Sequence, residues 1–532
     1  MTTDSFYKRA LLEVGQYGKF QKKFDCLYNI LLSVLWCMAY NNIILALTVI
    51  PHTCKPPQKQ ENFSLLTGKY KDIPPFNQFN ETIELSSCFI TYITTPNNNK
   101  TTECNEYTYD NTWYGSTVTS QNNWVCNNEI YMDNVLAYSK IGETIGSLFF
   151  GWFGDTYGRK PSYIISLSLL ITGRAISLIT SHSYTFFVTG CIIAAFPSTF
   201  ALQSISLISI EISSPKRRSQ IAKYRLIASS FGMCLMPLLY WWLRDWKTFL
   251  IVTTVTQLPY LIFSWKIIES PEWLWVNKKP KKCIRQLRHI ARVNNASLEK
   301  DTENKILSES HTTGNEEALG PLELFSSRRL AINTFLQLCL WVSVTVSYIV
   351  SLLSSGEKSD GNPFLEFTWQ ALIEVPAHFS AAWLVEQLGR RYTSAASSGF
   401  TCILWMILGL RELDVFSWLN QGYIGTIIGI VNRFSITIAY YTINLLNMEL
   451  YPTRLRQSGM SLGNIVSGGA AAVAPYILYV GHRHGVYVSS GILGAVSLLG
   501  LLAALFLPET SNMELPETLE EAQQFGNQPQ EL

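Results

Sequence analysis

The sequence contains the stretch Gly151-Trp152-Phe153-Gly154-Asp155-Thr156-Tyr157-Gly158-Arg159-Lys160, which follows an apolar segment in the first half of the chain. The stretch Glu386-Gln387-Leu388-Gly389-Arg390-Arg391 follows another apolar segment in the second half. Both carry an acid, then a glycine, then a basic pair at corresponding positions. Two copies of one loop, each after an apolar segment, predict a chain built from two similar halves.

The apolar segments that surround these loops are long enough to cross a bilayer, which takes about 20 residues per helix. Charged residues make up 15% of the 532 residues, below the roughly 25% of soluble proteins. The sequence therefore predicts an all-α membrane protein with twelve transmembrane helices. Spans 1 to 12 are predicted at residues 24–50, 131–153, 162–179, 184–210, 219–243, 248–268, 330–353, 363–385, 393–410, 421–446, 458–480 and 486–507.

Lys and Arg residues orient these spans, because they collect in alternate connections and in the residues before span 1. Such connections face the cytoplasm by the positive-inside rule. With an even number of spans, both termini are expected in the cytoplasm. The polar first residues contain no short apolar core with a small-residue cleavage site, so no cleavable signal peptide is expected.

The spans divide the chain into two six-helix bundles, an arrangement typical of transporters with a substrate site between the halves. An acid at a helix end can contact basic groups or a helix N-terminus in one state and lose that contact in another. The predicted parts are a cytoplasmic N-terminus at 1–23, an N-terminal bundle at 24–268 with an extracellular loop at 51–130, a cytoplasmic linker at 269–329, a C-terminal bundle at 330–507 and a cytoplasmic tail at 508–532.

The segment 51–130 is unusually long for a connection between helices, and its chemistry is extracellular. It contains N-glycosylation sequons at Asn62, Asn80 and Asn99. It also contains four cysteines, which can form two disulfides in any of three pairings. These are Cys54, Cys88, Cys104 and Cys126.

Together these motifs resemble the organic cation, carnitine and organic anion transporter family of the major facilitator superfamily, over nearly the whole chain. Glu269-Ser270-Pro271-Glu272-Trp273-Leu274 resembles the family's E-S-P-R-W-L, with Glu272 in place of the usual Arg. Ala371 to Pro376 resembles its E-x-P motif, Glu449 to Gly459 its E-L-Y-P-T-x-x-R-x-x-G, and Leu507 to Thr510 its L-P-E-T ending. The resemblance implies a carrier of small organic ions that works by alternating access.

The same resemblance implies that a set of charged and glycine residues at the cytoplasmic helix ends acts in gating. These are Asp155, Gly158, Arg159, Glu211, Arg218, Glu386, Gly389, Arg390, Glu449 and Arg456.

Ionisable residues at membrane depth are each candidates for function, because they are costly to insert. Lys140 and Glu143 lie three residues apart in span 2 and can pair on one helical face. Arg174 in span 3 is a second candidate partner for Glu143. A mutually satisfied ion pair is favoured over a ligand site here.

Glu374 lies well inside span 8, has no basic residue within one turn, and precedes Pro376. A lone acid that faces a wet cavity would attract an organic cation. Trp341 and Tyr348 share one face of span 7 and are candidate cavity walls, because aromatic faces attract cations. The complete set of predicted substrate-pathway residues is Glu374, Trp341, Tyr348, Arg433, Glu143, Lys140 and Asn464.

The charge of the substrate is not decided by span 11. Gly468 stands where cation carriers of the family tend to have Asp and anion or carnitine carriers tend to have Arg. The favoured function is a plasma-membrane secondary transporter of small organic cations or zwitterions, such as carnitine-like or amino-acid-derived amines. One alternative is an organic anion exchanger that uses Arg433 with Arg174 or Lys140. Another is a receptor-like membrane protein that no longer transports.

Other classes of function have no support in the sequence. There is no G-x-x-x-x-G-K-[ST] nucleotide loop, and the seven histidines show no zinc-ligand spacing. No enzyme activity, cofactor or metal is therefore expected. A net charge of +2 does not suggest nucleic-acid binding. The expected partners are a small organic ion, membrane lipid near the basic segment 278–292, and a coupling ion that is either sodium or a proton.

Overall fold

The computed structural model describes residues 4–15, 17–55, 64–65, 82–93, 99–198, 200–213, 215–309, 321–355, 361–413, 422–451 and 453–511. Most of these residues are helical. The α-helices are α1 (Asp4–Val14), α2 (Lys19–Phe24), α3 (Leu32–Ala46), α4 (Val118–Asn122), α5 (Ile130–Tyr157), α6 (Arg159–Ile179), α7 (Tyr184–Ala195), α8 (Phe200–Glu211), α9 (Pro215–Leu243), α10 (Trp246–Val255), α11 (Leu258–Ile262), α12 (Pro271–Val276), α13 (Pro280–Asn294), α14 (Lys300–Glu309), α15 (Arg328–Ser354), α16 (Pro363–Leu372), α17 (Glu374–Leu388), α18 (Arg390–Glu412), α19 (Gly422–Leu450), α20 (Thr453–Ala471), α21 (Ala474–His484) and α22 (Val486–Phe506).

Shorter helical segments complete these elements. Asp25–Leu31 is a π-helical segment that joins α2 to α3, and 3₁₀-helices occur at Cys126–Asn128, Phe263–Lys266 and Pro321–Phe325.

All twelve predicted spans coincide with helices, which confirms the predicted membrane fold. Within the described residues, ten helices are long and apolar enough to cross a membrane. The other two are α5 and the pair α16 and α17. Helix α5 carries Lys140 and Glu143, which lower its mean hydropathy, and the eighth span is divided at Ile373.

Four predicted spans are divided between two helices: span 4 between α7 and α8, and spans 6, 8 and 11, where a proline explains the break. Helices α10, α16 and α20 end at Val255, Leu372 and Ala471. Each of these residues lies four positions before a proline, at Pro259, Pro376 and Pro475. A proline ring clashes with the carbonyl of residue i−4 and cannot donate to it, so the regular helix ends there. The break in span 8 makes Glu374 the first residue of α17.

Span 2 packs on span 11, and span 5 packs on span 8, in the contact between the bundles. Helix α5 of the N-terminal bundle packs on α20 and α21, and α9 packs on α16 and α17. The Tyr476 hydroxyl donates to Oδ1 of Asn134 at 2.7 Å. His482 Nδ1 lies 3.4 Å from Oε1 of Glu129 nearby. These contacts join the start of α5 to α21.

Helix α1 packs against the linker helices α13 and α14. Asn294, at the end of α13, donates to the carbonyl of Val14 at 3.0 Å and accepts from the N–H of Phe20 at 2.9 Å. The apolar face of α13 is buried in one cluster with α1 and with Ile208 and Ile212 of the bundle. The basic segment 278–292 therefore packs on the helix ends of the N-terminal bundle.

The described parts of segment 51–130 add six short strands to the helical fold. They are β1 (His52–Cys54), β2 (Ser64–Leu65), β3 (Thr82–Leu85), β4 (Phe89–Ile93), β5 (Asn99–Glu103) and β6 (Tyr107–Tyr109). Strands β1 and β6 pair antiparallel, and the other four form a sheet in the order β2-β3-β4-β5. Disulfides join Cys54 to Cys104 and Cys88 to Cys126, which selects one of the three pairings. Asn62 and Asn80 lie outside the described residues, and Asn99 begins β5.

Candidate functional site

A cavity lies between the two bundles. Tyr40, Lys140, Glu143 and Arg174 contribute its polar wall, and all four belong to the N-terminal bundle. The opposite wall is apolar and comes from the C-terminal bundle, from Ile349, Leu352, Leu353 and Pro475. The charged groups that face the space between the halves are therefore concentrated on one side.

The predicted pair in span 2 forms as expected. Nζ of Lys140 lies 2.7 Å from Oε2 of Glu143, and both side chains are about a quarter exposed. Ser198 donates to the second carboxylate oxygen, Oε1, at 3.1 Å. Both oxygens of Glu143 thus have a donor, and Lys140 rather than Arg174 is its ionic partner.

Arg174 is almost completely buried, with 2% of its surface exposed. Its Nη2 donates to the carbonyl of Tyr40 at 2.8 Å and its Nε to that of Ala39 at 3.5 Å. Its Nη1 is buried without a hydrogen-bond partner, and no acid pairs with it in the described part of the chain. The cavity wall therefore carries a cation whose charge is not balanced by a neighbouring carboxylate.

Glu374 is not the lone acid that the sequence predicted. Nη2 of Arg433 lies 2.6 Å from its Oε1, and both side chains are buried. Tyr348 donates to the same oxygen at 3.2 Å, and the guanidinium carbon of Arg433 lies 3.8 Å from the centre of the Tyr348 ring. The basic partner was missed because it is on span 10, and a search within one helical turn cannot find it.

One bond to Glu374 crosses between the bundles. Ser230, on α9 of the N-terminal bundle, donates to Oε2 of Glu374 at 2.9 Å. Sequence analysis did not select Ser230, since a single serine in a membrane helix is common and carries no signal of its own. The buried pair is thus connected by a hydrogen bond to the other half of the molecule.

The remaining predicted pathway residues lie apart from the cavity. Trp341 is buried in the C-terminal bundle, where its ring lies 6.1 Å from that of Tyr440. Tyr440 also lies 5.9 Å from Tyr348, so the three rings form one aromatic group. Asn464 is half-buried and does not line the cavity. Tyr440 was not predicted, although it lies seven residues after Arg433.

Gly468 lies at the contact between spans 11 and 2, where there is no room for a side chain. A Cβ atom at this position would lie 2.5 Å from Oγ1 of Thr144. Thr144 directly follows Glu143. Where the family tends to carry a charge on span 11, this chain therefore has a close helix contact, and the charges stand on the facing helix.

The gating residues of the N-terminal half form one network. Arg159 lies 2.6 Å from Asp155 and 3.7 Å from Glu211. The carboxylate of Glu269 accepts from the backbone N–H groups of Arg159 and Lys160, at 3.0 and 3.2 Å, at the start of α6. Burial raises the pKa of Glu269. Gly158 has φ +116°, and a side chain there would collide with the Glu269 carboxylate.

The C-terminal half repeats this arrangement. Arg390 pairs with Glu449 at 2.9 Å. Glu509 accepts from the N–H groups of Arg390 and Arg391, at 2.8 and 3.1 Å, at the start of α18. Gly389 has φ +83°, and a Cβ there would lie 2.6 Å from Glu509.

One described residue among the predicted gating residues remains apart from these networks. Glu386 is exposed and forms no ion pair with a described side chain, unlike its counterpart Asp155. The side chains of Arg218 and Arg456 lie outside the described residues. Glu269 and Glu509 were not predicted as site residues. The available signal was their shared position after the last span of each half, in the E-S-P and P-E-T motifs.

One cluster in the described residues is compact enough for a metal ion, and its chemistry does not fit one. His52, Cys88 and Cys126 have ligand atoms within 4.8 Å of one another. Cys88 and Cys126 are joined in a disulfide, so neither sulfur is available as a thiolate ligand.

Comparison with known proteins agrees with the geometry. A family model described as sugar (and other) transporter matches residues 81–522. Organic cation transporter 1 of Caenorhabditis elegans is 26% identical over 98% of this chain and 89% of its own length. The beta-alanine transporter of Drosophila melanogaster is 25% identical over 97% and 89%. Human organic cation/carnitine transporter 2 is 24% identical over 77% and 72%.

Solved structures show the same fold. The xylose transporter XylE from E. coli in its inward-open conformation aligns with a TM-score of 0.55 at 17% identity, and the alignment covers 77% of this chain and 92% of that one. A second structure of a D-xylose-proton symporter gives a TM-score of 0.54 at 16% identity, over 76% and 93%. The chain therefore belongs to the sugar (and other) transporter family of the major facilitator superfamily, and it is a multi-pass membrane transporter rather than an enzyme.

Proposed function

We propose that the protein is a plasma-membrane secondary transporter of small zwitterions, such as amino-acid-derived or carnitine-like amines, and that it works by alternating access. Of the cations and zwitterions that the sequence favours, the charges of the cavity fit the zwitterions better. Both termini are proposed to lie in the cytoplasm, with segment 51–130 glycosylated outside the cell.

The observation that carries this proposal is the unbalanced guanidinium of Arg174. Lys140 and Glu143 neutralise each other, so the cavity wall keeps one net positive charge. A carboxylate on the substrate would balance it, because guanidinium groups bind carboxylates through two parallel hydrogen bonds. A cation without a carboxylate would instead add a second uncompensated charge to a space with one apolar wall.

The amino end of a zwitterion also has a place in this cavity. The Glu143 carboxylate and the ring of Tyr40 line the same space as Arg174. Because Glu143 is already paired with Lys140, the attraction for an ammonium group comes mainly from the Tyr40 ring, through a cation–π contact. Two of the similar proteins are named as transporters of beta-alanine and of carnitine, and both compounds carry a cationic nitrogen and a carboxylate.

The anion exchanger is less well supported, because Arg433 is neutralised by Glu374. Arg174 is then the main attraction for an anion. The receptor-like alternative is less well supported because ion pairs are present at the cytoplasmic helix ends of both halves.

The test is uptake by the purified full-length protein in proteoliposomes. We expect saturable uptake of radiolabelled beta-alanine and carnitine, and little uptake of tetraethylammonium or succinate. Arg174→Gln is expected to lower zwitterion uptake at least tenfold, and Arg174→Lys to restore part of it. Arg292→Gln, on the exposed face of α13, is the matched control.

Each result bears on the proposal. Uptake of tetraethylammonium that is insensitive to Arg174→Gln would identify a cation carrier. Succinate uptake without zwitterion uptake would identify the anion exchanger. No uptake by protein that binds its substrates would favour a receptor.

A further inference from the structure

The first membrane helix begins with a stripe of buried polar side chains. Gln21, Asp25, Asn29 and Ser33 follow one another at intervals of four residues, and none is more than 6% exposed. The segment Asp25–Leu31 is π-helical. Such turns within α-helices occur frequently at functional sites. The cavity and the gating networks described above use none of these four residues.

The neutral members of the stripe bind the neighbouring helices. Nε2 of Gln21 donates to the carbonyl of Ile212 at 3.3 Å, just after α8. Nδ2 of Asn29 donates to the carbonyl of Ile221 on α9 at 3.1 Å, and its Oδ1 accepts from Ser206 at 2.8 Å. The stripe thus fixes the first helix against spans 4 and 5.

Asp25 is the exception, because it is ionisable and incompletely bonded. Ser209 of α8 donates to its Oδ1. Its Oδ2 is buried and has no hydrogen-bond partner. No Lys, Arg or His pairs with Asp25 among the described residues, and Lys22 and Lys23 on the same helix are exposed. A buried carboxylate without a cation is strongly disfavoured in its ionised form, and a bound proton removes that penalty.

The other ionisable groups around Asp25 do not replace that proton. The Tyr17 hydroxyl, in the turn before α2, acts as a hydrogen-bond donor toward the Asp25 carboxyl, but it is neutral and does not compensate a full negative charge. Burial raises the pKa of Tyr17 to about 12, so it remains protonated. Arg217 on α9 lies over the Tyr17 ring, 5.3 Å from its centre, and donates to Gln220 rather than to Asp25.

Four further basic residues belong to α9, which packs on the π-helical segment. The side chains of Lys216 and Arg218 lie outside the described residues. Lys223 lies over the Phe379 ring, 5.4 Å from its centre, and the electrostatic neighbour of Arg225 is Tyr440. On α8, which also packs there, the ionisable residue is Glu211.

The stripe is connected to the cytoplasmic gate. Ser209, the hydrogen-bond partner of Asp25, lies two residues before Glu211 on α8. Glu211 in turn lies 3.7 Å from Arg159 in the gating network. A change in the charge of Asp25 would therefore act on the end of α8, which carries Glu211.

We propose that Asp25 binds the proton that is coupled to transport, which extends the proposed transport function to its coupling ion. Addition of a proton to Oδ2 converts the carboxylate to a neutral carboxylic acid, and the N-terminal bundle packs around an uncharged stripe. Release of that proton to water leaves a charge that favours hydration and separation of the cytoplasmic helix ends. No other reactant is needed.

Proton binding is tested first without any substrate. Infrared difference spectra of the purified protein in vesicles, recorded between acid and neutral pH, should contain a protonated-carboxyl band that disappears as the pH rises. Because burial also raises the pKa of Glu269, the spectra are compared between variants. We expect Asp25→Asn to remove one component of this band, Asp25→Glu to shift that component, and the exposed control Asp301→Asn to leave the band unchanged. A band of the same area in Asp25→Asn as in the wild type would overturn the assignment.

Coupling is tested in proteoliposomes loaded with the pH indicator pyranine. In the wild type, uptake of beta-alanine or carnitine should move protons in the same direction, and an imposed pH gradient should change the initial rate severalfold. Asp25→Asn should lose proton movement to a greater extent than it loses exchange of labelled for unlabelled substrate. Proton movement that is equal in Asp25→Asn, or a rate set by a sodium gradient, would overturn the proposal. Absence of uptake would refute the transport proposal alone, since the infrared titration does not depend on it.

Discussion

Glu269 and Glu509 hold equivalent positions in the two halves of the chain. Each follows the last span of its half and accepts hydrogen bonds from the first two backbone N–H groups of the third helix of that half. A carboxylate at a helix N-terminus stabilises the helix through these bonds and through the helix dipole. The glycine before each helix start leaves the space that the carboxylate fills.

The first prediction is that the two acids differ in their contribution to stability. Glu509→Gln should lower the free energy of unfolding by about 1 kcal/mol, because it removes a charge from the start of α18. Burial raises the pKa of Glu269, so its protonated form is favoured in the folded protein. Stability from that form is present below the ordinary pKa of a glutamic acid and is lost as the pH rises through the raised value.

We therefore expect Glu269→Gln, which cannot ionise, to be better tolerated than Glu509→Gln, with a relative gain over wild type as the pH rises. Thermal unfolding of the purified variants at several pH values measures this, with exposed Glu412→Gln as the control. Equal loss in both variants at every pH would contradict the asymmetry.

The second prediction concerns the buried pair of Glu374 and Arg433. Removal of one partner from such a pair costs about 3–5 kcal/mol, because the other charge is left without compensation. Glu374→Gln and Arg433→Gln should each lower both thermal stability and uptake. Uptake has to be normalised to the amount of protein at the cell surface.

The double variant Glu374→Gln with Arg433→Gln separates structure from transport. We expect it to recover much of the stability and surface delivery without recovering uptake. Recovery of uptake to the wild-type rate would show that the pair has a structural role alone.

The third prediction tests the contact between spans 2 and 11. Gly468→Ala places a methyl group 2.5 Å from Oγ1 of Thr144, so the bundles cannot approach as closely and uptake should fall. Gly469→Ala is the matched control, because a Cβ there has no neighbour within 4 Å. Thr144→Ala should rescue Gly468→Ala, since it removes the hydroxyl. Failure of the rescue would place the effect of Gly468 elsewhere than in this contact.

The fourth prediction concerns the disulfides of the extracellular loop. Each closes a long segment, with sequence separations of 50 and 38 residues. By chain entropy, loops of this size contribute about 4 kcal/mol each to the stability of the loop. Cys104→Ser should therefore reduce surface delivery, and Cys54→Ser with Cys104→Ser should behave like the single variant. Mass spectrometry of unreduced peptides that joined Cys54 to Cys88 or Cys126 would contradict the pairing.

The sequence predicts those features of the site that depend on one helix. Lys140 and Glu143 are three residues apart on span 2, so helical geometry alone brings them together. Glu374 and Arg433 lie on different spans, so their pairing depends on how those spans pack. The same distinction applies to Arg174, whose bonds to the carbonyls of span 1 follow from the tertiary structure.

The positions of these three helix breaks could also have been predicted from the sequence. Prolines at 259, 376 and 475 each end a helix four residues earlier, and the reason is local to the backbone. The disulfide pairing was not available, because four cysteines in one segment satisfy all three connectivities equally until the strands between them are placed. The polar stripe of span 1 was missed because Asp25 lies at the predicted edge of the span, where a charge is ordinary.

The attachment of segment 51–130 to both bundles has a consequence for their separation. Arg244 donates to the carbonyls of Asn111 and Trp113, which fastens the segment to the N-terminal bundle. The Tyr114 ring of the same segment rests against Phe364 of the C-terminal bundle, with ring centres 4.6 Å apart. Both rings are buried, so any opening of the bundles at this rim exposes two aromatic side chains to water and opposes the opening.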